Sequence, residues 1–125
     1  MRGGIQLGKI LVVDDELVHR VLLRRIFERA GYEVSDAGNG AAALRMVAES
    51  PPDLVVTDMM MPVMDGAELI RRLRCEPATA AISILAASGD PHLAEGADAV
   101  IRKPYSWRHV LQVADALLRD GGGPR

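Results

Sequence analysis

Four short stretches of the chain are almost wholly apolar: Ile10 to Val13, Leu54 to Thr57, Ile82 to Ala87 and Ala99 to Arg102. Their length suits strands. The runs at Ile10 and Leu54 are continuously apolar rather than alternating, which predicts parallel strands covered on both faces. A weaker fifth run spans Tyr32 to Ala37. Between the runs the apolar period lengthens to that of a helix. Val18, Val21, Leu22, Ile26 and Phe27 form one stripe, with Arg20, Arg24, Glu28 and Arg29 opposite, and Gly31 stops that helix. Ala42, Ala43, Met46 and Val47 form a second, closed by Ser50-Pro51-Pro52. Ala67, Leu69, Ile70 and Leu73 form a third, ended near Pro77. Trp107, Val110, Leu111, Ala114, Leu117 and Leu118 form the last, with Ser106 placed as its N-cap. Only a short helix fits between Ser88 and Gly96. Strand and helix thus alternate throughout. That order predicts an α/β fold, a parallel sheet with right-handed crossovers and helices on both faces.

Composition narrows the function more than the fold. The 125 residues are about one domain's worth. Aromatic residues make up only 3%, so the core is aliphatic. Fifteen basic against seventeen acidic residues give a formal charge of -2, which leaves no electrostatic footprint for nucleic acid. The single cysteine, Cys75, excludes an intrachain disulfide and a cysteine-based zinc site. No apolar run reaches the length of a membrane span, and Met1 to Lys9 lacks a signal-peptide core. A cytoplasmic location follows by elimination. The domain is expected over residues 1–120, with 121–125 a flexible tail or the start of a linker.

Polar chemistry collects where the strands end. In open α/β sheets, ligands bind beyond the carboxyl ends of the strands. The first strand runs into Asp14-Asp15-Glu16, the third ends at Asp58, the fourth at Ser88 and the fifth at Lys103-Pro104. Two carboxylates about 4 Å apart repel by about 4 kcal/mol at an effective dielectric of about 20. Three clustered acids therefore take up protons unless a cation is present, and Lys103 alone is insufficient. A hard divalent cation answers this, and Mg²⁺ suits a site with few carboxylates and several waters. A carboxylate can also attack phosphorus to give an aspartyl phosphate, with a cation, a lysine and a hydroxyl stabilising the phosphoryl oxygens.

The segments ILVVDDE, DLVVTDMMMPVMDGAEL, ISILAASGD and VIRKPY together resemble the receiver domain of two-component response regulators. The resemblance runs from Lys9 to the last helix. It implies a flavodoxin-like three-layer sandwich with five parallel strands in the order 2-1-3-4-5. It implies Asp58 as phosphoacceptor, and Asp14 and Asp15 as the acidic pair holding Mg²⁺, Asp15 the more direct ligand. The backbone carbonyl of Met60 would complete the protein ligands. Ser88 takes the place of the hydroxyl that bonds the phosphoryl group, Lys103 that of the lysine that pairs with it. A cis peptide bond is expected before Pro104, and Asp65-Gly66 matches the turn that opens the third helix. The segment from Ser88 to Lys103 is shorter than in the family by roughly seven residues, about two helical turns, lost from the helix between the fourth and fifth strands. Val100 stands where the family carries an aromatic residue on the fifth strand. Both departures lie on the face that family members use to signal.

Other features have plainer readings. Met59, Met60, Met61 and Met64 fill gaps and shape a loop, since methionine is a poor Mg²⁺ ligand. Arg20, Arg24, Arg25 and Arg29 read as a solvated helix face. His19, His92 and His109 lack metal-ligand spacing and read as surface residues, and Cys75 as inert. The reading is therefore a phosphorylation switch. A histidine kinase or phosphotransfer protein donates the phosphoryl group, an unknown protein receives the signal, and the chain is a monomer or weak dimer. The chain is expected to modify itself and slowly hydrolyse the product, with no independent substrate, and no output domain is expected after the last helix. Met60 and Asp90 flank the path of the hydrolytic water. The loop from Gly89 to Gly96 is expected to be mobile and to change order on activation, with Tyr105 and Trp107 at the partner surface. The alternatives are an unphosphorylated scaffold on the same fold, and a small phosphatase. The latter needs an acid/base residue where Met60 stands.

Overall fold

The computed structural model of the chain describes residues 7–121. The elements follow the alternation of the sequence: β1 (Lys9–Val13), α1 (Leu17–Arg29), β2 (Glu33–Ala37), α2 (Gly40–Glu49), β3 (Leu54–Asp58), α3 (Gly66–Cys75), β4 (Ser83–Ser88), β5 (Ala99–Arg102) and α4 (Trp107–Gly121). A single 3-10 turn, Pro91–Leu93, stands between β4 and β5 in place of a helix. The five strands pair in parallel in the order β2-β1-β3-β4-β5. Among the described residues no helix is long and apolar enough to cross a membrane.

The continuous apolar runs are explained by the two cores that the sheet separates. Leu11, Val13, Val55, Ile84 and Ala86 face Ala43 and Val47 of α2 and Leu69, Ile70 and Leu73 of α3. The alternate residues Ile10, Val12, Leu54, Val56 and Leu85 face Leu23 and Phe27 of α1 and Val110 and Ala114 of α4. Successive strand side chains point to opposite faces, so both sets must be apolar.

Three helices sit differently from their expected stripes. In α1 the buried residues are Leu23 and Phe27, one turn apart, while Val18, Val21 and Leu22 are exposed. In this orientation Leu23 and Phe27 pack into the core, and Arg20 and Arg24 both reach Asp36 of β2, at 2.8 and 2.6 Å. Arg20 is therefore drawn off the solvated face, whereas Arg24 stays half-exposed and Arg25 and Arg29 are exposed. Ala67 lies on the outer face of α3, whose buried stripe begins at Gly66. Trp107 lies half out of the core at the start of α4, with the Arg108 guanidinium 4.9 Å from its ring centre. The N-cap of that helix is Ser106, whose Oγ accepts from the His109 amide at 3.1 Å. Helix α4 runs to Gly121, the first residue of the expected tail, while 122–125 and 1–6 lie outside the described residues.

Candidate functional site

Strand register brings the polar strand ends to one edge. Val13 pairs with Thr57, so Asp14 comes level with Asp58, and Asp58 pairs with Ala87, one residue before Ser88. Ser88 pairs with Arg102, and the Lys103 amide donates to the Ser88 carbonyl at 3.0 Å. Asp14, Asp58 and Ser88 are buried, while Asp15 is exposed.

Asp58 is the centre of the group. It is 7% exposed, and its Oδ1 accepts a hydrogen bond from Lys103 Nζ at 2.5 Å. One carboxylate oxygen each from Asp14, Asp15 and Asp58 lie within 4.8 Å of one another. Burial, with the charge of Asp58 behind it, pushes the Asp14 carboxyl above its ordinary range, although the Glu16 backbone amide works the other way. Burial lowers the Lys103 ammonium, but the hydrogen bond and charge of Asp58 outweigh it and leave the lysine above its ordinary value. Tyr105, half-buried nearby, is raised by burial first and then by the charge of Asp14. The acids thus carry more negative charge than Lys103 balances. Their hard oxygen donors, two of the three carboxylates buried, fit a Mg²⁺ ion.

Ser88 sits at the edge, but its hydroxyl is engaged elsewhere. Oγ donates to the Asp90 carbonyl at 2.7 Å and accepts from the Asp90 amide at 3.0 Å. Met60 is exposed, unlike Met59 and Met61, which are buried, and Met64, which packs against Gly40. Met59, Met61 and Met64 thus fill gaps, while Met60 has the loop role. The peptide bond before Pro104 is cis, as expected.

Several supporting residues escaped the sequence reading. The Thr57 hydroxyl, fully buried, donates to the Asp58 carbonyl at 2.8 Å. Arg20 Nη1 donates to the Asp14 carbonyl at 2.8 Å and so braces the acidic loop. His19 is not a detached surface residue: its Nδ1 lies 3.2 Å from Asp14 Oδ2 and 3.0 Å from Glu16 Oε1. Gly66 was read only as a turn residue, but a Cβ there would stand 2.5 Å from the Asp58 carbonyl. No larger residue lets the start of α3 approach β3 so closely. The one available signal was the Asp-Gly pair, since Asp65 also caps α3 by accepting from the Glu68 amide at 2.9 Å. His92 and His109 are exposed, as is the free thiol of Cys75.

A buried carboxylate beside a lysine, facing two more acids, is equipped to take a transferred anion and to spread its charge. Comparison with known proteins bears on this arrangement. The family model of the response regulator receiver domain matches residues 10–115. The chain is 41% identical over 115 residues to the transcriptional regulatory protein ResD of Bacillus subtilis, covering 89% of this chain and 48% of ResD. It is 40% identical over 116 residues to the sporulation initiation phosphotransferase F of the same organism, covering 89% of this chain and 91% of that protein. The chain thus spans about half the length of ResD and nearly all of the phosphotransferase. Its fold matches the chemotaxis response regulator CheY4 of Vibrio cholerae with a TM-score of 0.82 at 27% identity, over 88% of this chain and 98% of CheY4. With its strand order, its acidic edge and these matches in agreement, the chain belongs to the response regulator receiver domain family, the phosphoacceptor signalling switches of two-component systems.

Proposed function

We propose that Asp58 is the phosphoacceptor, taking its phosphoryl group from a phosphohistidine of a histidine kinase or phosphotransfer protein. The observation that carries the proposal is the buried Asp58 carboxylate with Lys103 Nζ at 2.5 Å, level with Asp14 on the neighbouring strand. Lys103 holds one oxygen of Asp58, which orients the carboxylate as a nucleophile. An oxygen of Asp58 forms the new bond to phosphorus as the bond from phosphorus to the imidazole nitrogen breaks, and the imidazole leaves with the electron pair and takes a proton. Lys103 then faces the new phosphoryl group and offsets its charge. The Ser88 hydroxyl, released from the Asp90 carbonyl, donates to a phosphoryl oxygen, and that change carries the signal. Asp14, Asp15, Asp58 and the Met60 backbone carbonyl would hold a Mg²⁺ ion, which when bound neutralises the clustered carboxylates and the phosphoryl oxygens. The Met60 side chain offers the hydrolytic water no hydrogen bond, so self-catalysed dephosphorylation is slow.

The partner is a protein on both sides of the switch. Exposed Leu17, Val18, Val21 and Leu22 run along α1 directly away from the acidic loop. They form the contact surface offered to the phosphodonor, and the chain works as a monomer or weak dimer. Labelling with acetyl phosphate tests the reading. Wild-type protein with Mg²⁺ should gain one phosphoryl group, and Asp58→Asn or added chelator should abolish it. Equal labelling of Asp58→Asn would reject the assignment.

A further inference from the structure

Beside the three-carboxylate cluster lies a second, chemically different set of donors. Nδ1 of His19 stands 3.2 Å from Asp14 Oδ2 and 3.0 Å from Glu16 Oε1, and one ligand atom of each residue lies within 4.8 Å of the others. The local fold produces this convergence. Asp14 Oδ1 is held by the Glu16 amide at 2.9 Å, which turns Oδ2 toward α1. Glu16 is the N-cap position of α1, and His19, three residues on, projects from the same side of the first turn.

The spacing suits a coordination shell. Ligands about 2.0–2.2 Å from a tetrahedral ion stand roughly 3.3 Å from one another. The two separations given for His19 are close to that, and small side-chain shifts complete it. The donor type selects the ion. An imidazole nitrogen with two carboxylate oxygens suits zinc and its transition-metal neighbours, whereas Mg²⁺ prefers oxygen alone. His19 and Glu16 are 41% and 62% exposed, so an ion has a path in and a water has a place in the fourth position. Asp14 is buried and belongs to both donor sets.

We propose that Asp14, Glu16 and His19 form a site for a transition cation of the Zn²⁺ class, which competes with Mg²⁺ for Asp14 and so suppresses phosphorylation of Asp58. The competition rests on the reading of Asp14 as a Mg²⁺ ligand, while the Zn²⁺ site itself stands on His19. Through it the chain's response to its phosphodonor would fall as available zinc rises.

The test uses Zn²⁺ itself, measured by competition with a chromophoric chelator, and Co²⁺ as a spectroscopic substitute. Wild-type protein should bind one Zn²⁺, and bound Co²⁺ should show absorption bands indicating nitrogen coordination. His19→Gln and Glu16→Gln, checked for folding by circular dichroism, should each weaken Zn²⁺ binding at least tenfold. In parallel, acetyl phosphate labelling with Mg²⁺ is titrated with Zn²⁺. Zn²⁺ should inhibit wild type at concentrations tenfold or more below those needed for His19→Gln, and excess Mg²⁺ should relieve the inhibition. Each protein's inhibition is read relative to its own labelling without Zn²⁺, so a changed basal rate in the variant does not enter the comparison. Equal Zn²⁺ affinity in wild type and His19→Gln would overturn the site. Tight Zn²⁺ binding through His19 that leaves labelling unaffected would overturn the competition. Absence of labelling in both proteins with Mg²⁺ alone would count against the Asp58 assignment, and the Zn²⁺ affinities would still decide the site.

Discussion

Asp14 is a residue at which stability and function pull apart. Its carboxyl is raised above the ordinary value of 3.8 by burial and by the charge of Asp58. Between the unfolded and the folded value, the folded chain holds a proton that the unfolded chain has released. The stability this contributes is complete below pH 3.8 and is lost as pH rises through the higher folded value. In metal-free buffer, Asp14→Asn should accordingly melt at a higher temperature than wild type at neutral pH. The gap should narrow as pH falls toward 4, because the Glu16 amide keeps its acceptor in the variant. A pH-independent gap in thermal melts would contradict this origin. Val63 is strained in another way. It has a φ of 71° and is 91% exposed in the loop between β3 and α3. A β-branched residue in that region costs about 1–3 kcal/mol, partly offset on replacement by the larger unfolded-state entropy of glycine. Val63→Gly should therefore stabilise the protein by about 1 kcal/mol, seen as a higher urea midpoint at unchanged slope.

At the scale of elements, the connection from β4 to β5 holds no α-helix. The expected helix is a 3-10 turn, and an arginine from another element holds the far half of the segment. Arg74 of α3 donates to the carbonyls of Gly96, Ala80 and Ile82 and pairs with Asp98 at 2.7 Å. Asp98 in turn accepts from the Ile84 amide. Ala94 is buried, and Gly96, at a φ of 93°, passes so close to Ile70 that a Cβ would sit 2.9 Å from it. The mobility expected from Gly89 to Gly96 is thus opposed at Ala94 and Gly96, and an order change on activation belongs at Gly89 and Asp90, next to Ser88. Arg74→Ala should cost about 2 kcal/mol, since it leaves a partly buried carboxylate and three carbonyls without that donor. It should also speed amide exchange from Gly96 to Asp98; unchanged exchange there would remove the clamp from the account. Helix α1 makes the complementary case. Its outward apolar residues lie beside the acidic loop, so Val18→Asp and Leu22→Asp should slow phosphotransfer from a protein donor tenfold or more, about 1.4 kcal/mol. Labelling by acetyl phosphate should be untouched, and equal losses with both donors would reject the docking role.

Across the whole molecule, what was legible in the sequence follows from which interactions are local. Strand runs such as Ile10 to Val13 and Leu54 to Thr57 announced a sheet buried on both faces. The strand ends announced Asp14, Asp58, Ser88 and Lys103 as neighbours. The orientation of α1 was not legible, because its apolar residues Val18, Val21 and Leu22 satisfy a helical period as well as Leu23 and Phe27 do. Which set is buried depends on long-range packing: Leu23 and Phe27 enter the core, and Arg20 and Arg24 then pair with Asp36. His19 was missed for a different reason: the contact is local, but its spacing to Asp14 fits no metal motif until the backbone of the acidic loop folds back. The Ser88 hydroxyl, in reach of the site by register, is turned to Asp90, which its place at the strand end does not predict. These details surround one chemical claim, that Asp58 accepts the phosphoryl group. Reductive trapping tests it most directly. After acetyl phosphate and Mg²⁺ treatment, borohydride cleaves an acyl phosphate and leaves homoserine, which peptide mass spectrometry locates. The account predicts homoserine at position 58, dependent on Mg²⁺ and absent without the phosphodonor. Homoserine at position 14 or 15, or an unmodified Asp58 in a phosphorylated chain, would contradict it.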